Sequence, residues 1–584
     1  IPATTPDGQG QASTVSLTSA DRIEVLTGPL AQLYGNSAGG VIQVFTREAE
    51  AVPTLQSQIV MGSHGLSRTD WQFSQRSGQV SFVGDYSTFH IQGYRAHSEA
   101  KREQINTLMR IDVSPQTRIK LLANLFSMPY AKDPLGLTLA QVLANPQQAG
   151  NNAVVNDARK TVSQEQLGAV LEHQIDPQIR VQARIYGGTR ENLQYQASSP
   201  TAGSWVGLDR NFHGLGFQVQ GKNQRLAQQS FDWVLGFDQD FSGEMRQGGL
   251  ANAGAKVGSI NRSELNESSN SDIFAQANWR FLPQLSITTG LRSSTIQLQS
   301  RDDYLADGAN GSGKVTYKAV NPVLGATWHV NDALNLYLNS GRGFETPTLS
   351  ESVYTQSGNA VLGLFNAKLV PSRSQHLELG GKWTPSPQTR IDTALFRIQT
   401  DNEIVTSLSV GGRTAFTNAQ QTLRQGIEIS ARHLWNQHWR TLLSATAINA
   451  QYGENTSLAG KYLPGIPRQQ LFSSIAWSEK GFQQGNKNPV SGKEANLDWV
   501  ARSRLWANDS NDASGTAIGY GMLNARVRQH FQWGQAQVVA FVGIDNLTDK
   551  RAVSSVIINQ ANKQFFEPAL PRNAIMGVTA KLAL

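Results

Sequence analysis

The sequence predicts an all-β fold: a transmembrane antiparallel β-barrel of about 22 strands behind a compact, irregular N-terminal piece. Three observations predict it. Side chains alternate between polar and apolar with a period of two over most of the chain beyond residue 54. Short and long connections take turns along it. Charge and hydropathy are both low.

Charged residues make up 16% of the 584, against about 25% in a typical soluble protein. The mean hydropathy is −0.35, so the chain is not apolar either. A wall with one face on lipid and one on water has this balance, because Gln, Asn, Ser and Thr can line the wet side. No stretch approaches the roughly 20 apolar residues of a membrane helix. A membrane-spanning chain of this kind must close its sheet, since hydrocarbon cannot satisfy an open strand edge. Cysteine is absent, which excludes disulfides and thiolate metal sites. The net charge is +7, without the basic helix or long Lys/Arg run that nucleic acid would call for. Anionic lipid headgroups and an anionic ligand account equally well for the excess.

The alternation is local and countable. Ile179, Val181, Ala183 and Ile185 alternate with Arg180, Gln182, Arg184 and Tyr186. Leu324, Ala326, Trp328 and Val330 share one face. Leu377, Leu379 and Trp383 oppose His376, Glu378 and Lys382, and Leu523, Ala525 and Val527 oppose Asn524, Arg526 and Arg528. Such a sheet faces two environments. Tight turns are predicted at 77–79, 114–116, 176–178, 282–284, 331–333, 385–388, 436–437 and 532–534. Between them lie polar loops at 129–161, 197–207, 247–265, 301–313, 344–373, 401–421, 453–466 and 550–572. Short turns on one side and long loops on the other are the grammar of an outer-membrane barrel. Two connections, near 222–228 and 478–494, read as larger turns on the short side. Phe89, Tyr186, Trp233, Trp279, Trp328, Trp383, Trp435, Trp439, Trp499, Trp506 and Trp533 stand near strand ends, where interfacial girdles form. The first 50 residues differ: Gly28-Pro29, Gly35 and Gly39-Gly40 punctuate short apolar runs, giving a compact piece that is not wall.

Residues 21–47, DRIEVLTGPLAQLYGNSAGGVIQVFTR, resemble the end of the plug domain of TonB-dependent outer-membrane receptors. SGRGFETP at 340–347, PSRSQHLELG at 371–380, RQGIE at 424–428, GIDNLTD at 543–549 and EPALPRN at 567–573 resemble later signatures of the same family, so the likeness runs the length of the chain. It implies residues 1–50 as the C-terminal part of a plug and 51–584 as the barrel, with the start of the plug and the TonB-contacting segment lying outside this sequence. The implied partners are the TonB-ExbB-ExbD energy-transducing complex, a small-molecule ligand, and outer-membrane lipid and lipopolysaccharide. The implied setting is a monomer in the outer membrane of a Gram-negative bacterium, with no cofactor. Within the family the nearest subgroup is the receptors for pyrroloquinoline quinone, which GYRAHSEAKR at 93–102, TDNEIV at 400–405 and SVIINQANKQFFEPA at 555–569 resemble. A ferric-siderophore receptor is the alternative cargo; a passive channel or an adhesin is the alternative class.

The family's chemistry is binding and gating. The resemblance places Thr5, Asp7 and Gln9 in a plug apical loop. Tyr94, Arg95, His97 and Arg102 offer cations and an aromatic to a tricarboxylate, since Arg pairs bidentately with carboxylate; solvation or lipopolysaccharide phosphates are the plain alternative. Arg342, Glu345, Tyr354, Arg413 and Arg572 complete the candidates. The family's plug-to-barrel lock maps onto Glu378 and Glu428, but its plug arginine is Thr27 here. Arg22, beside Glu24, and Arg424 are the expected substitutes. The ten histidines lack metal-ligand spacing such as H-E-x-x-H, no D-x-D-x-D-G run is present, and no nucleophile–base pattern suggests an enzyme.

Overall fold

The computed structural model describes residue 4 and residues 10–35, 40–197, 199, 202–410, 413–482 and 491–584, with backbone alone for Gln32. Twenty-two strands form one closed antiparallel barrel. The first barrel strand, Thr54–Gly62, pairs with the last, Asn573–Ala583, from Thr54↔Ala583 to Gly62↔Ile575. This closure leaves no ladder edge facing hydrocarbon.

Alternation sorts the side chains as the sequence requires. Ile185, Leu235, Leu324, Leu379 and Val527 are each more than half exposed on the outer face. On the opposite parity Asp70, Arg190, Asp272 and Arg292 are at most 4% exposed. A soluble sheet does the reverse, so the exposed apolar belt marks a lipid-facing wall. Trp328, Trp383, Trp435, Trp439 and Trp533 are exposed at the turn end of that belt, as an interfacial girdle requires. Three expected girdle residues point elsewhere. The Phe89 ring lies under the Arg102 guanidinium, Tyr186 turns inward to donate to Asp240, and Trp506 stacks on Tyr462 in a buried loop contact.

The eight tight turns fall where expected. The connection expected near 222–228 is instead a two-residue turn between Gly203–Leu226 and Gln229–Asn252. Ala227 and Gln228 take φ of 50° and 67° there, the left-handed pair a twisted hairpin demands. The connection at 478–494 is longer, with strands ending at Ser478 and resuming at Gly492. Two expected loops are largely strand. Residues 247–265 belong to Gln229–Asn252 and Ala255–Leu282, and 401–421 to Thr389–Val410 and Arg413–Asn436. Their ladders continue far beyond the belt: the 28 residues of Ala255–Leu282 span about 90 Å at roughly 3.3 Å each, several times a barrel's apolar band.

At the loop end, Leu505, Ala507, Ala517, Val553, Phe565 and Phe566 form a small core with Leu139 and Val142 packed on it. Leu137 and Phe566 exchange backbone hydrogen bonds of 2.8 and 2.9 Å. Three loops thus form one block on one side of the mouth.

Residues 10–35 and 40–50 occupy the lumen. Ala20–Leu26 and Val41–Thr46 pair antiparallel, and Pro29–Tyr34 is a short 3-10 turn between them. Ser16 donates to Asp85 at 3.0 Å and Thr18 to Asp70 at 2.9 Å, while Gln72 donates to the Thr18 carbonyl at 2.9 Å. Arg110–Glu48 at 2.7 Å and Lys581–Glu50 at 2.6 Å fasten the exit of this segment to the wall.

Two substitutions test the assignment of faces. Leu379→Arg, in the outward belt, should destabilise the inserted barrel by roughly 2–4 kcal/mol. Ser430→Arg, exposed on the inward parity of its strand, should cost far less. Unfolding in lipid vesicles, followed by heat-modifiable gel mobility, measures both; equal losses would mean that the faces are misassigned.

Candidate ligand site at the barrel mouth

Inward side chains of adjacent strands meet in rows set by register. Gln164↔Arg190, Arg190↔Arg210, Arg210↔Glu244 and Glu244↔Asn266 form one row across five strands. One and two steps toward the loops lie the inward pairs Arg246↔Glu264 and Gly248↔Arg262. Five guanidiniums gather here, counting Arg413, against the carboxylates of Glu244 and Glu264.

Their partners are specific. Arg190 donates to Gln164 Oε1 at 2.9 Å and to Gln11 Oε1 of the luminal segment at 2.6 Å. Arg210 is held by Glu244 and reaches Thr4 Oγ1 at 3.1 Å. Arg246 donates to the Tyr354 hydroxyl and lies 5.1 Å from its ring centroid; Arg262 lies over the same ring at 4.7 Å. Arg262 is shared with Glu264 and with the Val353 carbonyl at 3.1 Å. Burial pushes the Tyr354 hydroxyl up, but the fields of Arg246, Arg262 and Arg413 more than reverse this and hold it below the ordinary tyrosine value. The local potential is therefore positive where the loops meet the lumen.

Not all of this polarity is satisfied. Nε of Arg190 and of Arg246, Nη1 of Arg262, and both side-chain polar atoms of Asn192 are buried without a hydrogen-bond partner. The N–H donors among them carry a desolvation penalty that an anion would relieve.

Several sequence-derived candidates converge here and several do not. Tyr354 and Arg413 belong to the cluster. Glu345 ends its strand near Glu351, Glu403 and Arg424. Thr5, Asp7 and Gln9 lie outside the described residues, although Thr4 and Gln11 on either side of them touch Arg210 and Arg190. The 94–102 segment is spent on its own loop. Arg95 is buried, donating to the carbonyls of Gln148 and Pro134 at 3.0 and 3.1 Å. His97 contacts the Ala158 carbonyl at 2.8 Å, and Tyr94 meets His64 edge to face. Arg102 stacks on Phe89 at 4.6 Å. The backbone of Arg572 donates to Asp549 at 2.8 Å, bracing the last loop. Arg342 is exposed on the outward parity with Leu336 and Leu338, so it does not face the lumen.

The expected lock also needs correction. Arg22 is exposed, pairs with Glu24 at 2.6 Å and Asp21 at 3.6 Å, and lies over Phe45; it reaches neither Glu378 nor Glu428. Arg424 is held by Glu403. Among the described residues Glu428 makes no ion pair. Around Gly28 and Leu33 the luminal segment instead meets the wall through backbone. A Cβ on Gly28 would lie 2.5 Å from Glu378 Oε2, and φ there is +77°, so glycine is required on both counts. Arg292 donates to the Leu33 carbonyl at 2.9 Å while paired with Asp272 at 2.6 Å.

The sequence matches the family described as TonB dependent receptor-like, beta-barrel, over residues 112–547. The chain belongs to this TonB-dependent receptor family. Its members are transporters and receptors that take small-molecule ligands and interact with TonB, and the closed 22-strand barrel is theirs. Solved structures with this fold include the ferric citrate transporter FecA in its unliganded form, with a TM-score of 0.84 at 18% identity over 100% of this chain and 87% of that one. The siderophore receptor PiuA from Acinetobacter baumannii gives 0.80 at 14% identity over 98% and 88%. The copper transporter OprC gives 0.79 at 15% identity over 100% and 89%.

In this receptor Gly28→Val should expel the Pro29–Tyr34 turn from the wall. Limited proteolysis should then cut within residues 20–47 at least tenfold faster, with the barrel's heat-modifiable mobility unchanged. Protection equal to that of the parent would rule out the Gly28–Glu378 contact as the seat of the segment.

Proposed function

We propose that this receptor takes up an anionic, carboxylate-bearing small molecule, captured at the mouth by Arg246, Arg262 and Arg413 around Tyr354 and passed inward along Arg210 and Arg190. The observation that carries the reading is the set of buried guanidinium nitrogens, Nε of Arg190 and Arg246 and Nη1 of Arg262, that make no hydrogen bond, with Arg246 Nε 4.0 Å from Glu264. Farther toward the turn end a luminal cavity of about 1310 Å³ is lined by Arg47, Arg440, Arg526, Arg528 and Lys581 against Glu50 and Glu494, so an anion moving inward meets positive potential again. Among anionic cofactors, pyrroloquinoline quinone, a tricarboxylate, suits the cluster, and the segments at 93–102, 400–405 and 555–569 favour it. The ferric siderophore is the second reading, favoured by the cargo named for FecA and PiuA.

Residues 1–50 are, on this reading, the last part of a plug. Ile23, Val25 and Ile42 leave an apolar face of the small luminal sheet uncovered, and a larger plug would cover it. Uptake then needs energy relayed by TonB with ExbB and ExbD in a Gram-negative outer membrane.

Titration of the full-length receptor with pyrroloquinoline quinone and with ferric siderophores tests this. An anionic carboxylate ligand should bind, and Arg246→Gln with Arg262→Gln should weaken it at least tenfold, or about 1.4 kcal/mol. Unchanged affinity in that double variant would overturn the site. Tight siderophore binding with none for the quinone would overturn the quinone reading. Uptake that persists without TonB would overturn energised transport.

A further inference from the structure

Beside the guanidinium cluster lies a second set of unsatisfied groups, and these are neutral. Asn192 is 3% exposed, and neither its Nδ2 nor its Oδ1 has a hydrogen-bond partner among the described residues. Two neighbours on the same inward face share this state in part. Gln164 gives its Oε1 to Arg190, but its Nε2 is buried and unpaired. The Oε1 of Gln194 is also buried and unpaired. This edge presents donors and acceptors together, where the arginines present donors alone.

Register sets the distance between the two edges. Val162↔Asn192, Asn192↔Leu208 and Leu208↔Arg246 form one inward row, and Gln194↔Val206 and Val206↔Gly248 the next. Gly248 stands opposite Arg262. Asn192 and Arg246 lie on Ile179–Gln196 and Gln229–Asn252, with Gly203–Leu226 alone between them. At roughly 4.8 Å per strand their backbones are about 10 Å apart. The middle strand turns Val206 and Leu208 inward at this level, both buried and both apolar. Val162 and Met128, buried and packed together, extend the apolar floor beyond Asn192. Gln11 of the luminal segment lies over this floor, joined to Arg190 at 2.6 Å and to Met128 Sδ at 3.6 Å.

A carboxamide with its donor and its acceptor both open reads a matching pair of groups. Asn does this with the adjacent donor and acceptor of adenine. A carboxylate by itself satisfies only the Nδ2 of such an amide and leaves the Oδ1 bare. An N–H set beside an oxygen satisfies both. The apolar strip between Asn192 and the guanidiniums is one strand wide, which suits the face of a flat ring. A metal complex with ligand atoms on all sides has no such face. We infer that Asn192 sets cargo specificity: it reads a ring N–H beside a carbonyl or carboxylate oxygen, on one edge of a flat heterocyclic carboxylate whose opposite edge is held by Arg246 and Arg262. The inference rests on the proposed uptake of a carboxylate and adds the shape and the neutral half of that ligand. Gln11 is the side chain that the ring displaces.

The test titrates the full-length receptor with pyrroloquinoline quinone and with the same molecule methylated at its ring N–H. The parent should bind the unmodified quinone at least tenfold more tightly. Asn192→Leu should abolish that preference by weakening the unmodified quinone alone. It removes two unsatisfied buried groups, so unfolding in lipid vesicles should show a barrel as stable as the parent or more so. A less stable barrel with the preference intact is the outcome of a merely structural asparagine and would overturn the assignment. Arg246→Gln with Arg262→Gln should weaken both compounds and keep the preference between them. Equal binding of the two compounds by the parent overturns the role of Asn192 and leaves the arginine site standing. Binding of neither overturns the carboxylate reading and this inference with it.

Discussion

Backbone polarity in hydrocarbon governs this molecule. Every strand crossing a bilayer must give its N–H and C=O groups to neighbours, and a sheet can do so only by closing. The pairing of Thr54–Gly62 with Asn573–Ala583 completes that closure. Once the cylinder is sealed, alternation becomes obligatory: one parity meets lipid and must be apolar, and the other meets an enclosed space and can be polar. The luminal arginines follow from the same constraint. They are desolvated because a wall encloses them while the luminal segment covers Arg190 and Arg292 and the loop carrying Tyr354 covers Arg246 and Arg262, and a desolvated guanidinium seeks an anion.

The N-terminal segment is seated by short polar contacts spread around the wall and not by a core of its own. Asp70, Asp85 and Arg292 each meet it from a different strand through a hydrogen bond. Asp70, Asp85 and Arg292 are buried, and a hydrogen bond to a charged group is worth about 1.5–3 kcal/mol. An arrangement of many separate polar contacts can hold a segment firmly and still release it stepwise, which a hydrophobic core of equal strength would resist.

The wall was legible in the sequence because its requirement is local. Leu377, Leu379 and Trp383 must face lipid whatever the rest of the chain does, and Asp176 or Asn331 punctuates a turn on its own account. The site was less legible for the opposite reason. Arg246 and Arg262 flank Gly248, Gly249 and Gly254, which read as loop because beyond the lipid both faces are wet and apolar alternation fades. Parity still held: Arg246 and Arg262 stand at even positions with Asp238 and Asp272, and carrying that parity past the belt would have found them. The 94–102 segment misled in the other direction. It concentrates charge, but the loop's own carbonyls at Pro134 and Gln148 consume Arg95. The substitute lock failed because Arg22 and Arg424 have nearer carboxylates in Glu24 and Glu403.

On the proposed function the luminal guanidiniums around Tyr354 receive the cargo. A structure of the full-length receptor with its ligand bound tests this most directly. A carboxylate of the ligand should lie within about 3 Å of Arg246 or Arg262, at charge-assisted hydrogen-bond distance, and should accept from Nη1 of Arg262 or Nε of Arg246, which make no hydrogen bond here. A ligand seated on the 94–102 loop, or anywhere out of reach of these arginines, would contradict it.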